Sequence, residues 1–500
     1  HGRPRSGELH AAIGGDGLPS EFTPYSIAAG ARALLTENVH PDDPYGWGEH
    51  ERITLDRTGT ARFRVGPVSW RKAGPDLELS ATLLDRGRVR IADLSRQRLL
   101  AEVGVGEWTP WIELCGFEGE HPATWEFRIR PRLADLASGR LALYVSALQS
   151  KEAFADPREI SVQLREKLGP YTEPLTISAL LNGWIDPAGM MDEFRDQAIW
   201  HTRASLYLTQ ELGFAAVLSK WHAFDKFYHF FFQRIDAESP LYDPDQFSYY
   251  EAIHQEVLGI ADEMVGLLLD GIDSNTLLIV LSDHGLMPSR RHVYVNNFLA
   301  RHGFLVTTGP PARDGRMKID WTRTRAVAHP YTQIWINTSG RDPEGIVLPG
   351  PEWESLCGEV IAALRDWKDP ETGAHVMNHV FRVEDGAAYG LGAPGDGDIR
   401  FFCQAGYSAF RTTDVTVDGR EIITATGPYL GDHGSCAPTA RLGRGSEMAM
   451  LCMGGPNIKE GYRRLHPLRM TDVLPTALAA LGWPLPRHSE GGVAMDCLRY

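Results

Sequence analysis

At 500 residues, with 43% hydrophobic and 23% charged, the chain is ordinary globular material with enough apolar side chain for a large core. At ~150 residues per domain it has room for two or three units. The formal net charge of −15 excludes a surface that coats nucleic acid or an anionic membrane, though not an anionic substrate, because a bound metal reverses the local field.

Six cysteines (Cys115, Cys357, Cys403, Cys436, Cys452, Cys497) are scattered without a CxxC pair. That argues against a disulfide scaffold and favours a reducing compartment, the cytoplasm over secretion. No apolar run approaches the ~18 residues of a membrane span, and no signal peptide is visible. A P-loop and an HExxH helix are both missing, as is a basic–aromatic stripe for nucleic acid. Nothing in the sequence speaks to oligomeric state.

Residues 1–50 are Gly- and Pro-rich and lack periodicity, which reads as an irregular segment. Residues 51–165 change character. ARFRVG, LELSATLL, RVRIADL, TWEFRIRP and LALYVSAL are short alternating runs between turn residues, the pattern of a β-rich insert or cap module. Residues 166–500 read as an α/β core. FAAVLSKW (214–221) is expected as a buried strand. Ile253, Val257, Ile260, Met264 and Leu267 recur at helical spacing, and Gly271 is a plausible stop. TLLIVL (276–281) is a continuous apolar run of strand length, followed later by a strand at MAMLCMGG and a helix at TDVLPTALAALG. Helix followed by a fully apolar strand predicts a mostly parallel sheet with helices on both faces.

The run TLLIVL ends in Ser-Asp-His-Gly, placing Asp283 and His284 beyond a strand's carboxyl end, where α/β sheets bind ligands. Carboxylate and imidazole suit zinc, manganese or iron; the plainer reading is a helix-capping Asp beside a solvent-facing His. In HAFDKFYHFFF, Asp225 and His229 are four apart and share one face of a helix otherwise aromatic. A carboxylate in such a setting is costly to bury without a partner, and a cation would supply one. GPYLGDHGSCAP carries Asp432 and His433 between glycines.

Taken in order, Asp-x-x-x-His, Ser-Asp-His-Gly and Gly-x-His-Gly resemble the alkaline phosphatase superfamily, in particular its type I phosphodiesterase/nucleotide pyrophosphatase and phosphoglycerate-mutase-like branches. GEWTPWIEL (106–114), the block 320–347 and the tail TDVLPTALAALGWPLP look like a prokaryotic phosphodiesterase-like subgroup. The resemblance spans roughly residues 100–500. It implies an alkaline-phosphatase-like fold with two divalent metal ions, zinc being the first expectation and manganese or iron the alternatives. Asp225, His229 and His433 would hold one ion, and Asp283 and His284 would contribute to the other. The implied reaction is hydrolysis of a small phosphate ester through a Thr or Ser nucleophile.

The resemblance also calls for an Asp at the end of a first strand and for that nucleophile. The stretch AAIGGDGLPSEFTP offers only Asp16 and Thr23, weak candidates, so the expectation is a chain shortened at its N-terminus with the nucleophile upstream of His1. Arg341, among turn residues, is a candidate for binding substrate phosphate; the plainer reading is a turn-stabilising Arg. Three rivals stand beside the hydrolase. A sulfatase would need Cys-x-Pro-x-Arg, and CAPTAR (436–441) misses it by one position. A phosphomutase would need a serine nucleophile. The third is a non-catalytic metal-binding homologue that uses the β-rich module as a binding surface.

Overall fold

The computed structural model describes residues 185–499 apart from 313–314, 330–331, 393–394, 410–412 and 426–429, and most of residues 56–171. Before residue 56 it describes three short strands, Ala12–Ile13, Arg32–Leu35 and Glu49–Arg52. Asp16 and Thr23 lie outside the described residues. The chain forms two compact units: His1–Lys226 with Ala252–Ile272, and Phe227–Glu251 with Asp273–Tyr500.

In the first unit the alternating runs are strands. Thr60–Val65, Leu77–Leu83, Arg88–Asp93 and Arg98–Gly104 form an antiparallel sheet in chain order. Period-two alternation turns Ala61, Phe63 and Val65 inward. They join Leu79, Ile91, Trp125, Phe127 and Leu143 in one apolar cluster. The long helix Pro187–Gln210 begins where its sequence predisposes it to. Pro187 supplies the fixed φ of a first turn, and Asp186 accepts the Gly189 N–H at 2.8 Å. This helix buries Glu193, at 1% exposure, beside Tyr144, whose O–H donates to it at 3.2 Å. Burial pushes the Glu193 carboxyl up to about 7.

Residues 214–221, expected as a buried strand, are irregular, and Leu218 is fully exposed. Among the described residues no strand pairs with this run, and without a ladder an apolar stretch has no reason to extend. The helix Pro244–Gly271 does form and does end at Gly271. Its Ile253, Val257 and Ile260 are buried, as their spacing predicts.

The second unit is built around Ala326–His329, Gln333–Ile336, Ile399–Cys403 and Met377–Arg382, an antiparallel sheet in that spatial order. Helices Val295–Arg301 and Pro351–Asp366 contribute Phe298, Leu299, Leu356, Val360 and Leu364 to its core. The apolar run after residue 276 gives the strand Leu278–Leu281, paired with Leu451–Gly454 from Leu278↔Gly454 to Leu281↔Leu451.

That pairing is antiparallel and the strand is only half-buried, whereas a buried parallel strand was expected. The mostly parallel sheet is not what the described residues form: two of their strand pairings are parallel, Arg32–Leu35 with Glu49–Arg52 and Arg291–Val293 with Tyr407–Ser408. The physical reason is range. Apolar periodicity specifies a strand and its buried face, but the direction of its neighbour is decided by a segment far away in sequence.

Candidate metal centre

The helix Ala223–Ile235 buries its aromatic face: Phe227, Phe230, Phe231 and Phe232 are at most 3% exposed. The run in HAFDKFYHFFF is therefore core. Asp225 and His229 lie one turn apart on a shared face, opposite Phe227, Phe230 and Phe231, each half-buried. The division between units passes between Lys226 and Phe227, inside this continuous helix, so helix geometry alone sets Asp225 relative to His229. One turn earlier, His222 Nε2 stands 3.1 Å from Asp225 Oδ2.

The loop carrying His433 docks onto this helix through two hydrogen bonds. The Leu430 N–H donates to His229 O at 2.5 Å, and His229 Nδ1 lies 2.8 Å from Gly431 O. A carbonyl can only accept, so Nδ1 carries the proton and Nε2 keeps its lone pair for a ligand. The approach needs glycine: a Cβ on Gly431 would stand 2.4 Å from Tyr228 O. Asp432 Oδ2 accepts the hydroxyl of Ser408 at 2.6 Å and that of Ser435, and the Ala409 N–H in turn donates to Ser435 Oγ at 2.9 Å. Asp432 thus braces the loop, and the adjacent His433 projects from it.

The Asp283–His284 bend interrupts a ladder that then resumes. The Ser282 N–H donates to Met450 O at 3.0 Å and the Gly285 N–H to Glu447 O at 3.0 Å; Leu286 bridges Ser446, and Met287–Pro288 pairs with Gly431–Asp432. Held on both sides, the bend presents its two side chains. His284 Nδ1 is 2.8 Å from Gly285 O, which again places the proton on Nδ1. The His284 ring stacks on His433 with centroids 3.5 Å apart, and His433 lies 5.2 Å from the His229 ring. Asp283 Oδ1 stands 3.5 Å from His284 Nε2, with its side chain 59% exposed.

A helix and a loop motif about 200 residues apart in sequence therefore meet. Asp225, His229 and His433 offer ligand atoms that all lie within 4.8 Å of one another. One carboxylate and two neutral imidazoles form a donor set suited to a divalent cation of the zinc type. Asp283 and His284 adjoin it; among the described residues no third acidic, Cys or His ligand joins them in a cluster of that compactness.

Arg341, the candidate for substrate phosphate, is engaged within the protein. Its guanidinium bonds Asp398 at 2.6 and 2.9 Å and Asp342 at 3.1 Å, donates to Ile336 O, and lies over the Trp335 ring. Its donors thus tie the 338–342 turn to the buried carboxylate of Asp398. Cys436 of CAPTAR is buried, and its thiol faces Gln404 O at 3.6 Å, with burial raising its pKa. That is a packed side chain and gives no support to a sulfatase.

The residues that sequence reasoning missed are the braces: His222, Ser408, Ser435 and Glu447. Only His222, three residues before Asp225, left a local trace. Glu447 accepts the Gly434 N–H on Oε2 at 3.1 Å while almost fully buried, and burial pushes its carboxyl up to about 7.

Residues 157–349 match the family model described as type I phosphodiesterase / nucleotide pyrophosphatase. A crystal structure of a mutant of the alkaline phosphatase PafA is similar at 14% identity and a TM-score of 0.34, over 66% of this chain and 57% of that one. The chain thus spans less than two thirds of that protein. A comparison with curated proteins gives no match. Among the described residues no helix is long and apolar enough to cross a membrane.

Proposed function

We propose, from the match of residues 157–349 to the type I phosphodiesterase / nucleotide pyrophosphatase family model, that the chain is a metal-dependent phosphoric ester hydrolase of that kind. The observation that supports this reading best is the meeting of Asp225, His229 and His433 within 4.8 Å. These three would hold one divalent cation, and Asp283 and His284 would contribute to a second. Zinc suits the donors, and manganese or iron could use the same atoms. When bound, such ions lower the pKa of an attacking hydroxyl and offset charge on the phosphoryl oxygens.

The chain's own groups do the rest. Gly431 O and Gly285 O fix the tautomers of His229 and His284, so each offers a ready lone pair. Two neutral imidazoles and one carboxylate leave a dication net positive. The site would then attract an anionic ester although the chain as a whole carries −15. The substrate class is a small phosphate ester, and the attacking hydroxyl is none of the five ligand residues.

Zinc titration by calorimetry, paired with hydrolysis of bis(p-nitrophenyl) phosphate and p-nitrophenyl phosphate by the full-length protein, tests this. Zinc-dependent hydrolysis, abolished by chelation and by His433→Ala, is the expected result. No zinc binding, or full hydrolysis by both Asp225→Ala and His433→Ala variants, would overturn it. Zinc binding without hydrolysis of either ester would favour the non-catalytic binding homologue.

A further inference from the structure

Two loops carry three of the five candidate ligands, Asp283–His284 and His433, and both are tied to one residue. Glu447 accepts the Gly285 N–H on its backbone carbonyl at 3.0 Å and the Gly434 N–H on its side-chain Oε2 at 3.1 Å. The two donors directly follow His284 and His433 in sequence. We propose that Glu447 is a positioning residue, a clamp that sets the distance between the two histidine-bearing loops and so tunes metal affinity. The inference rests on the metal-site reading above.

Three observations support the clamp. Glu447 is itself held: its N–H donates to Ala440 O at 3.0 Å, and its neighbour Ser446 donates backbone N–H to Leu286 O at 3.0 Å. Its backbone lies hard against Gly285, where a Cβ would stand 3.0 Å from the Glu447 carbonyl carbon. Finally, Glu447 is 8% exposed, burying an acid is unfavourable unless its oxygens are used, and the buried carboxyl spends Oε2 on the Gly434 N–H while Oε1 has no hydrogen-bond partner. An apolar residue would fill the space with no such penalty, but it could not accept the Gly434 N–H. The His284 and His433 rings, stacked at 3.5 Å, are the geometry this clamp preserves.

The test compares zinc affinity with melting temperature in Glu447→Gln, Glu447→Asp and Glu447→Ala, alongside wild type and His433→Ala. Gln keeps an acceptor at the same reach, so Glu447→Gln should bind zinc within about threefold of wild type. Asp withdraws the acceptor by one methylene and Ala removes it. Each should lose about 10–100-fold in affinity, the usual range for a group that orients a ligand, and Asp should do so with little change in melting. Should Glu447→Ala fail to fold, Glu447→Asp decides. Wild-type affinity in Glu447→Asp, or equal losses in Gln and Ala, would overturn the clamp. Failure of wild type to bind zinc, or undiminished binding by His433→Ala, would instead overturn the metal site.

Discussion

Gly285→Ala probes the junction between the strand pair and the metal-ligand bend. An added Cβ would stand 2.0 Å from Ser446 O and 2.7 Å from Met448 O, both backbone atoms. Since such contacts do not fall below 3.0 Å, segment 446–448 or the bend itself must move by at least 1.0 Å (3.0 − 2.0). No flexible side chain is available to absorb the shift. Overpacking against backbone costs about 1–3 kcal/mol, and loss of the Gly285 N–H to Glu447 O bond adds about 1 kcal/mol. A total near 3 kcal/mol corresponds to a melting temperature lower by roughly 6–12 °C for a unit of this size.

The same displacement parts the His284 and His433 rings, so zinc affinity should fall about 10–100-fold. Differential scanning calorimetry and zinc titration are the assays. Gly454→Ala is the control, because a Cβ there meets open space on the neighbouring strand. If Gly285→Ala melts and binds zinc like the Gly454→Ala control, the clash reasoning is wrong.

Asp225→Ala should lower zinc affinity more than about 100-fold while leaving melting of the metal-free chain nearly unchanged, since the side chain is half-buried on a helix held by its aromatic face; calorimetric titration and melting curves check this. Arg341→Ala leaves the buried Asp398 carboxylate without its guanidinium partner and should destabilise by about 1–3 kcal/mol, below the full value for a buried pair because Arg341 is 39% exposed. Denaturant unfolding would show that loss, with zinc affinity and hydrolysis unchanged. Glu193 holds a proton in the folded state up to about 7, against an ordinary glutamate value near 4.5, with Arg128, Tyr144, Asp196 and Lys226 around it. Its contribution to stability is therefore fully present below pH ~4.5 and declines as pH rises towards ~7, by up to about 3 kcal/mol. Glu193→Gln should flatten that slope and raise stability at pH 8, measured by urea unfolding across pH; an unchanged slope would count against the buried-acid assignment.

Much of the candidate site is local chemistry and so is written in the sequence. Asp225 and His229 share a helical face by spacing alone. Asp283 and His284 end an apolar run, and His433 sits between glycines that permit close approach. The helix 244–271 and the strands of the β-rich segment follow from periods of 3.6 and 2, which nearest neighbours enforce.

What depended on distant partners was not legible. The run 214–221 has strand composition but, among the described residues, no strand beside it. Leu278–Leu281 found an antiparallel neighbour from residues 451–454, where a parallel sheet was expected. Arg341 was bound by Asp398, and Glu447 became a brace because its segment lies against Gly285. Sequence determined which residue types stand ready for a metal and on what elements. Tertiary structure alone decided which of them meet, because hydrogen bonds and ion pairs between segments as distant as those of His229 and Gly431, 202 residues apart, have no local signature.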